Sequence, residues 1–181
     1  MKTFKQVISE CCTDYANNKD TRFIGYSVSY GSRVYGTLDR VDSGQCIETP
    51  VAENLMLGLA MGMSLEGFRP VVCFERHDFL LLGLDALVNH VDKMPWISGD
   101  AFKFPIIVRA IVGSNEPLRA GPMHTQDYTT ALSSMLKYTP VLEPKTERDF
   151  VQAWNVVGHS RSGAIVIIEH RDLYNKEIPA E

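Results

Sequence analysis

The chain has 181 residues, 45% of them apolar and 22% charged, with a formal net charge of −4 and a mean hydropathy of −0.09. That length accommodates one domain around a single core, and the acidic balance leaves no basic surplus to neutralise the phosphates of a nucleic acid. No apolar run approaches the ~18 residues of a membrane span, and residues 1–6 lack an apolar signal region, so a cytoplasmic protein is expected.

In chain order, residues 4–18 read as a helix that Asn17-Asn18 ends. Arg22-Phe23-Ile24-Gly25-Tyr26-Ser27-Val28 reads as a first strand. A Gly/Ser/Tyr-rich loop fills 29–46, and loops of that length in compact domains are often functional. Pro50 suits the first turn of a helix that runs to about Leu65. Its stretch from Leu55 to Met63 is apolar on every side, which predicts a buried helix. Gly58 and Gly62, four apart on one face, predict close approach of a neighbouring element. A strand at 70–74, a helix over about 79–93 and a strand at 104–112 follow. After an irregular loop at 113–123 come a helix near 126–137, a strand at 139–143, a helix at 146–160 and a strand at 164–169. Thr146 with Asp149 resembles a weakened capping box. Apolar runs alternating with helical segments predict an α/β fold, a three-layer, doubly wound, mostly parallel sheet with helices on both faces.

The four cysteines form no C-x-x-C pair, and no histidine stands at zinc-ligand spacing from them. Reduced thiols are expected, with Cys73 buried in a strand and no metal site on this chain.

In open parallel sheets, ligands bind beyond the carboxyl ends of the strands. The segments there, 29–46, 74–78 and 113–124, together with the helix start, bring Glu48, Glu53, Arg76, His77, Asp78 and His124 to one end. Each has an ordinary reading. A carboxylate in a first helical turn complements the helix dipole; a lone loop histidine is commonplace; Arg76 and Asp78 fit a solvated turn. Glu53 stands apart because a carboxylate entering a buried helix costs several kcal/mol unless it is paired, and such groups titrate as catalytic acids do.

Glu48-Thr49-Pro50-Val51-Ala52-Glu53, the Gly/Ala-rich helix to Gly62 and Phe68-Arg69-Pro70 together resemble the beta subunit of the decarboxylase component of 2-oxo acid dehydrogenase complexes. The middle domain of transketolases and deoxyxylulose-phosphate synthases is similar, more loosely. The resemblance continues through Phe74 to Lys93, Ser98-Gly99, Pro105-Ile106-Ile107-Val108-Arg109, Gly121-Pro122-Met123-His124-Thr125-Gln126 and Ile168-Glu169-His170 to Ile178-Pro179. It spans nearly the whole chain, without that beta subunit's C-terminal domain. It implies a pyrimidine-binding domain for thiamine diphosphate, in which Glu53 hydrogen-bonds N1′ of the aminopyrimidine ring and so promotes loss of the thiazolium C2 proton. It implies a substrate-facing His124 that donates a proton or orients the substrate. It also implies a ring stacked on the aminopyrimidine: His77 stands where relatives place Phe or Tyr, so His77, Phe74 or Phe79 takes that part. Tyr26 replaces an acidic residue of the relatives.

The family's Gly-Asp-Gly and Asn-Asn, which hold the diphosphate and its magnesium ion, are absent; Gly99-Asp100-Ala101 is not that motif. The resemblance therefore implies that Mg2+ is held by a diphosphate-binding partner subunit, with two such pairs associating about a twofold axis. The implied reaction cleaves or forms a carbon–carbon bond next to the carbonyl of a 2-oxo acid or a ketose. The alternative is a non-catalytic assembly or regulatory subunit that keeps the fold, which His77 and Tyr26 keep open. A free-standing flavodoxin-like nucleotide binder would need a phosphate loop, which the sequence lacks.

Overall fold

The apolar runs of the sequence become the strands of one sheet. The computed structural model describes residues 1–116, 119–160 and 163–181, so Pro117 and Leu118 of the predicted 113–123 loop lie outside the described residues. The strands are β1 (Thr21–Gly25), β2 (Cys46–Glu48), β3 (Arg69–Phe74), β4 (Ile107–Val112), β5 (Val141–Leu142) and β6 (Ile165–His170). They lie in the order β2-β1-β3-β4-β6-β5, and every neighbouring pair is parallel.

Side chains alternate across this sheet, as the two-residue strand period requires. Val71 and Cys73 of β3, Ile107 and Ile111 of β4, and Ile165 and Ile167 of β6 face one core, which α1 (Phe4–Ala16) and α6 (Glu147–Ser160) cover. Val72 and Phe74, Val108 and Ala110, and Val166 and Ile168 face the other core. Its cover is α2 (Glu53–Leu65), α3 (His77–Leu80), a π-helical stretch Ala86–Val91 and α5 (Thr129–Met135). The predicted three-layer α/β fold is the observed one.

The first core encloses a charged group. Fully buried Arg109 donates from Nε to Glu169 Oε1 at 2.6 Å, and from Nη2 to Glu169 Oε2 at 2.9 Å and Thr37 Oγ1 at 3.1 Å. Its Nη1 meets the sulfurs of Cys12 and Cys73 at 3.5 and 3.9 Å. The Tyr174 hydroxyl donates to Glu169 Oε2 at 2.5 Å, and burial raises its pKa well above the usual value, which keeps that proton in place. All four cysteines are free, and burial pushes the thiols of Cys11, Cys12 and Cys73 up to about 12.

Several boundaries differ from expectation. The strand read over 22–28 stops at Gly25, because the chain then turns and Ser27 adopts a left-handed φ of 62°. β2 starts at the last residue of the predicted loop and runs beyond it, too short to show a period. α2 starts at Glu53 rather than Pro50, with Ala52 as its cap. It is also not buried on every side. Met56, Leu57, Ala60 and Ser64 face the sheet, but Leu55 and Leu65 are each 53% exposed. Nothing lies within 4 Å of where a Cβ on Gly58 or Gly62 would stand, so the neighbour predicted for these glycines is not among the described residues. The helix expected from Phe79 begins at His77, tightens to a 3-10 turn at Leu81–Gly83 and widens into the π stretch; α4 (Met94–Ile97) follows. The Thr146–Asp149 capping box is complete. Asp149 N donates to Thr146 Oγ1 at 3.1 Å, and Thr146 N to Asp149 Oδ2 at 3.0 Å. Among the described residues no helix is long and apolar enough to cross a membrane.

Candidate active site

The strand order reverses between β1 and β3, and a doubly wound sheet places its ligand crevice at such a point. A cavity of about 340 Å³ opens there, at the carboxyl ends. Tyr26 lines it from the end of β1, and Phe74, Glu75 and Arg76 from the end of β3. Glu53 and Met56 of α2, Phe79 of α3 and His124 complete much of the wall. Glu53, Phe74, Phe79 and His124, which are distant in sequence, are thus brought together.

Glu53 is the first residue of α2 and is only 6% exposed. The turn after α3 seats Gly83 on it: a Cβ there would meet the Glu53 carbonyl at 3.3 Å and Leu57 Cδ1 at 2.9 Å. Among the described residues the Glu53 carboxylate has neither a hydrogen-bond donor nor an ion-pair partner. The carboxylate instead opens onto the cavity, where a ligand can share a proton with it. The helix N-terminus beneath it favours negative charge.

His124 is held by its loop and by α3. Its N–H donates to the Gly121 carbonyl at 3.1 Å, and its ring meets Phe79 edge-on at 5.5 Å. Its Nδ1 is buried without a partner. The His124 carbonyl rests on Gly113, where a Cβ would lie 1.9 Å from it, so only glycine fits at the end of β4. The first turn of α3 grips the residues that follow. Asp78 Oδ1 accepts from Gln126 N at 3.2 Å, and His77 packs edge-on against Tyr128 at 5.8 Å.

His77 does not line the cavity. It is fully buried, its Nδ1 lies 3.9 Å from Asp127 Oδ1, and neither ring nitrogen has a hydrogen-bond partner. Burial lowers its pKa, with Asp127 and Asp78 acting in the opposite direction. Of the three residues expected to offer a stacking ring, the cavity receives Phe74 and Phe79; His77 faces inward because its place in the first turn of α3 points at the 124–128 segment. Glu48 is not in the cavity either. Its carboxylate ties the turn after β1 by accepting from Ser27 N, from Val28 N at 3.0 Å, and from Ser29 N and Oγ at 2.9 and 3.0 Å.

Tyr35 and Glu75 are among the lining residues that were not expected. Tyr35 projects from a left-handed turn, with φ of 46°, 52° and 56° at Arg33, Val34 and Tyr35 and 77° at Gly36. Its hydroxyl donates to the Glu75 carbonyl at 3.1 Å. Glu75 takes the Ser32 hydroxyl, and its burial raises its carboxyl pKa. A second carboxylate therefore borders the cavity even though Tyr26 is not acidic. The signal available for it was a charged Glu-Arg pair directly after an apolar strand.

Another cavity, of about 380 Å³, lies near the amino ends of β5 and β6, beside Trp96 and Tyr138. Its buried carboxylate, Asp92, is already occupied by the N–H groups of Lys137, Tyr138 and Thr139 at 2.8–3.2 Å.

Residues 6–177 match the family model for the transketolase pyrimidine-binding domain. The chain belongs to that family. Within it, the chain is 29% identical over 161 residues to the pyruvate dehydrogenase E1 component subunit beta-4, chloroplastic, of Oryza sativa subsp. japonica, a match over 86% of this chain and 37% of that protein. It is 34% identical over 139 residues to the pyruvate dehydrogenase E1 component subunit beta of Rickettsia conorii, over 77% of this chain and 41% of that protein. The chain thus spans about two fifths of the length of these curated relatives. Among solved structures, transketolase from Leishmania mexicana superposes with a TM-score of 0.72 at 18% identity, over 93% of this chain and 25% of that one. A split gene transketolase, described as an inactive beta4 tetramer, gives 0.70 at 13% identity, over 93% and 51%. At those identities the likeness is one of fold.

Proposed function

We propose that this pyrimidine-binding domain is one half of a thiamine-diphosphate enzyme whose other half comes from a partner subunit. The observation that carries this reading is Glu53, a buried carboxylate without a donor that faces an apolar cavity at the sheet's switch point. A carboxyl group held in such a site can share a proton with the ring nitrogen of an aminopyrimidine, so the residues present fit the cofactor. The chemistry that thiamine diphosphate supplies when bound is nucleophilic attack on a substrate carbonyl.

The chain's own residues do the remainder. Glu53 shares a proton at its carboxylate and fixes the orientation of a ring. Phe74, Phe79 and Met56 offer flat apolar surface and exclude water. His124, which lines the cavity, holds or moves a proton at the substrate oxygen. Diphosphate and magnesium fall to the partner on this reading, because the chain has no Gly-Asp-Gly followed by Asn-Asn. A 2-oxo acid is the favoured substrate, supported by the pyruvate dehydrogenase names of the relatives; a ketose has only the fold likeness behind it. The unpartnered Glu53 and His124 argue against a non-catalytic subunit. The open face of α2 supports twofold self-association, and four free thiols support a cytoplasmic location.

The test is Glu53→Gln in the complex reconstituted with its co-purified partner, thiamine diphosphate and Mg2+. Turnover should fall by about 2–4 orders of magnitude while thermal unfolding of the chain is preserved. Activity within a few-fold of the wild type would leave Glu53 as a helix-start residue and refute the reading.

A further inference from the structure

We infer that Arg76, reinforced by Arg171, binds an anionic group of the substrate, a carboxylate or a phosphate, on the wall of the cavity formed by Tyr35. This rests on reading the cavity as the shared site of cofactor and substrate. Arg76 lines the cavity, with its Cζ 5.7 Å from the centre of the Tyr35 ring. Arg171 Cζ lies 4.8 Å from the centre of the same ring.

Among the described residues neither guanidinium has a carboxylate within ion-pair distance or a hydrogen-bond acceptor. Glu75, the neighbour that could neutralise Arg76, is turned to the Ser32 hydroxyl instead. Both guanidinium groups thus stand against the Tyr35 ring without an ion-pair partner, and a negative ligand would supply one. Tyr35 is there only because the backbone accepts three successive left-handed non-glycine residues, the kind of strain that accompanies binding sites. Gly113 fixes which side of the cavity this is. A Cβ on it would meet Arg76 Nη1 at 2.8 Å as well as the His124 carbonyl, so the guanidinium stands beside the His124 loop, where the substrate is expected. A guanidinium fork matches both carboxylate and phosphate.

The full chain should be titrated at constant ionic strength with sodium pyruvate, sodium phosphate and, as a neutral control, dihydroxyacetone. Nitrogen-15 NMR would follow the arginine Nε–Hε and His124 ring resonances. The Arg76 signal, assigned by its loss in Arg76→Gln, should shift saturably with an anion and not with the ketone. Response to pyruvate marks a carboxylate as the group recognised, and response to phosphate a phosphorylated substrate. In Arg76→Gln, affinity read at His124 should drop about tenfold or more, and in Arg171→Gln by less. Arg76→Lys keeps the charge without the fork and should recover part of the loss. An Arg76 signal indifferent to both anions, or unchanged affinity in Arg76→Gln, would overturn the inference. Glu53→Gln should leave the anion titration intact, so failure of the cofactor assignment and failure of the anion site register in separate measurements.

Discussion

Replacing His77 by phenylalanine should stabilise the domain, and should do so more at mild acidity than at neutral pH. A neutral imidazole carries one donor and one acceptor, and here both nitrogens are buried without partners. Each such group costs about 1–3 kcal/mol. Phenylalanine removes both and keeps the edge-on contact with Tyr128, though its larger ring needs some repacking. A net gain of about 1–3 kcal/mol follows, at ~2–4 °C of melting temperature per kcal/mol for a domain of this size. The pH dependence has a definite sign. Burial lowers the His77 pKa below its usual 6.5, against Asp127 at 3.9 Å and Asp78, and with His170 adding to the lowering. The unfolded chain therefore binds a proton that the native state refuses. Stability is unaffected above about pH 6.5 and is lost as pH falls from there toward the lowered native pKa. His77→Phe lacks this loss. Thermal unfolding of both proteins between pH 5 and 8 is the assay: the gap in melting temperature should be positive at neutral pH and widen on acidification. A variant less stable at neutral pH, or a gap that stays constant with pH, would refute the reasoning.

Three further outcomes are expected. His124→Ala should lower substrate turnover by about 2–4 orders of magnitude while sparing solvent exchange of the cofactor's thiazolium proton; equal loss in both assays would remove its substrate-facing role. Glu169→Gln leaves the buried Arg109 charge without its counter-ion and should cost about 3–5 kcal/mol in denaturant unfolding; a loss under about 1 kcal/mol would contradict that account. Gly58→Leu meets open space, so it should stabilise the isolated chain by about 0.5–1 kcal/mol through helix propensity. It should also weaken self-association in sedimentation, and an unaltered association constant would exclude this face as the interface.

Much of the architecture was legible because a parallel sheet buried on both faces imposes uninterrupted apolar runs. Val71-Val72-Cys73-Phe74, Ile107-Val108 and Ile165-Val166-Ile167-Ile168 are such runs, and all became strands. Cys46-Ile47-Glu48 shows no pattern, since three half-buried edge residues carry no period. Apolar composition did not reveal that the outer face of α2 lies open, because composition records what a surface prefers and not whether this chain supplies its cover. At the site, Glu53 and His124 stood out by residue type and by their place at the carboxyl end of the sheet, whereas Phe74 and Phe79 entered only through the family resemblance. His77 was placed correctly along the chain but not in direction: the first turn of α3 aims it at the 124–128 segment, and only the path of that segment shows this. Tyr35 was invisible, because no local preference predicts a run of left-handed residues.

That run from Arg33 to Gly36 has a further consequence. A left-handed non-glycine residue costs about 1–2 kcal/mol, and Val34, β-branched and fully buried, is among the least tolerant of types. The segment therefore has no intrinsic tendency toward the shape it holds. It is imposed by Val34 and Leu38 in the first core, by the Gly36 N–H donating to the Ser32 carbonyl at 2.7 Å and by Tyr35 reaching Glu75. One wall of the cavity is thus a gauge of the integrity of the whole domain. Any local opening that loosens the α1 side of the sheet releases stored backbone energy, and Tyr35 leaves before the strands separate. Amide exchange at Gly36 and Leu38 should then run ahead of exchange in β3 and β4, and damage at a distance would reach the site as loss of shape while the sheet is still intact.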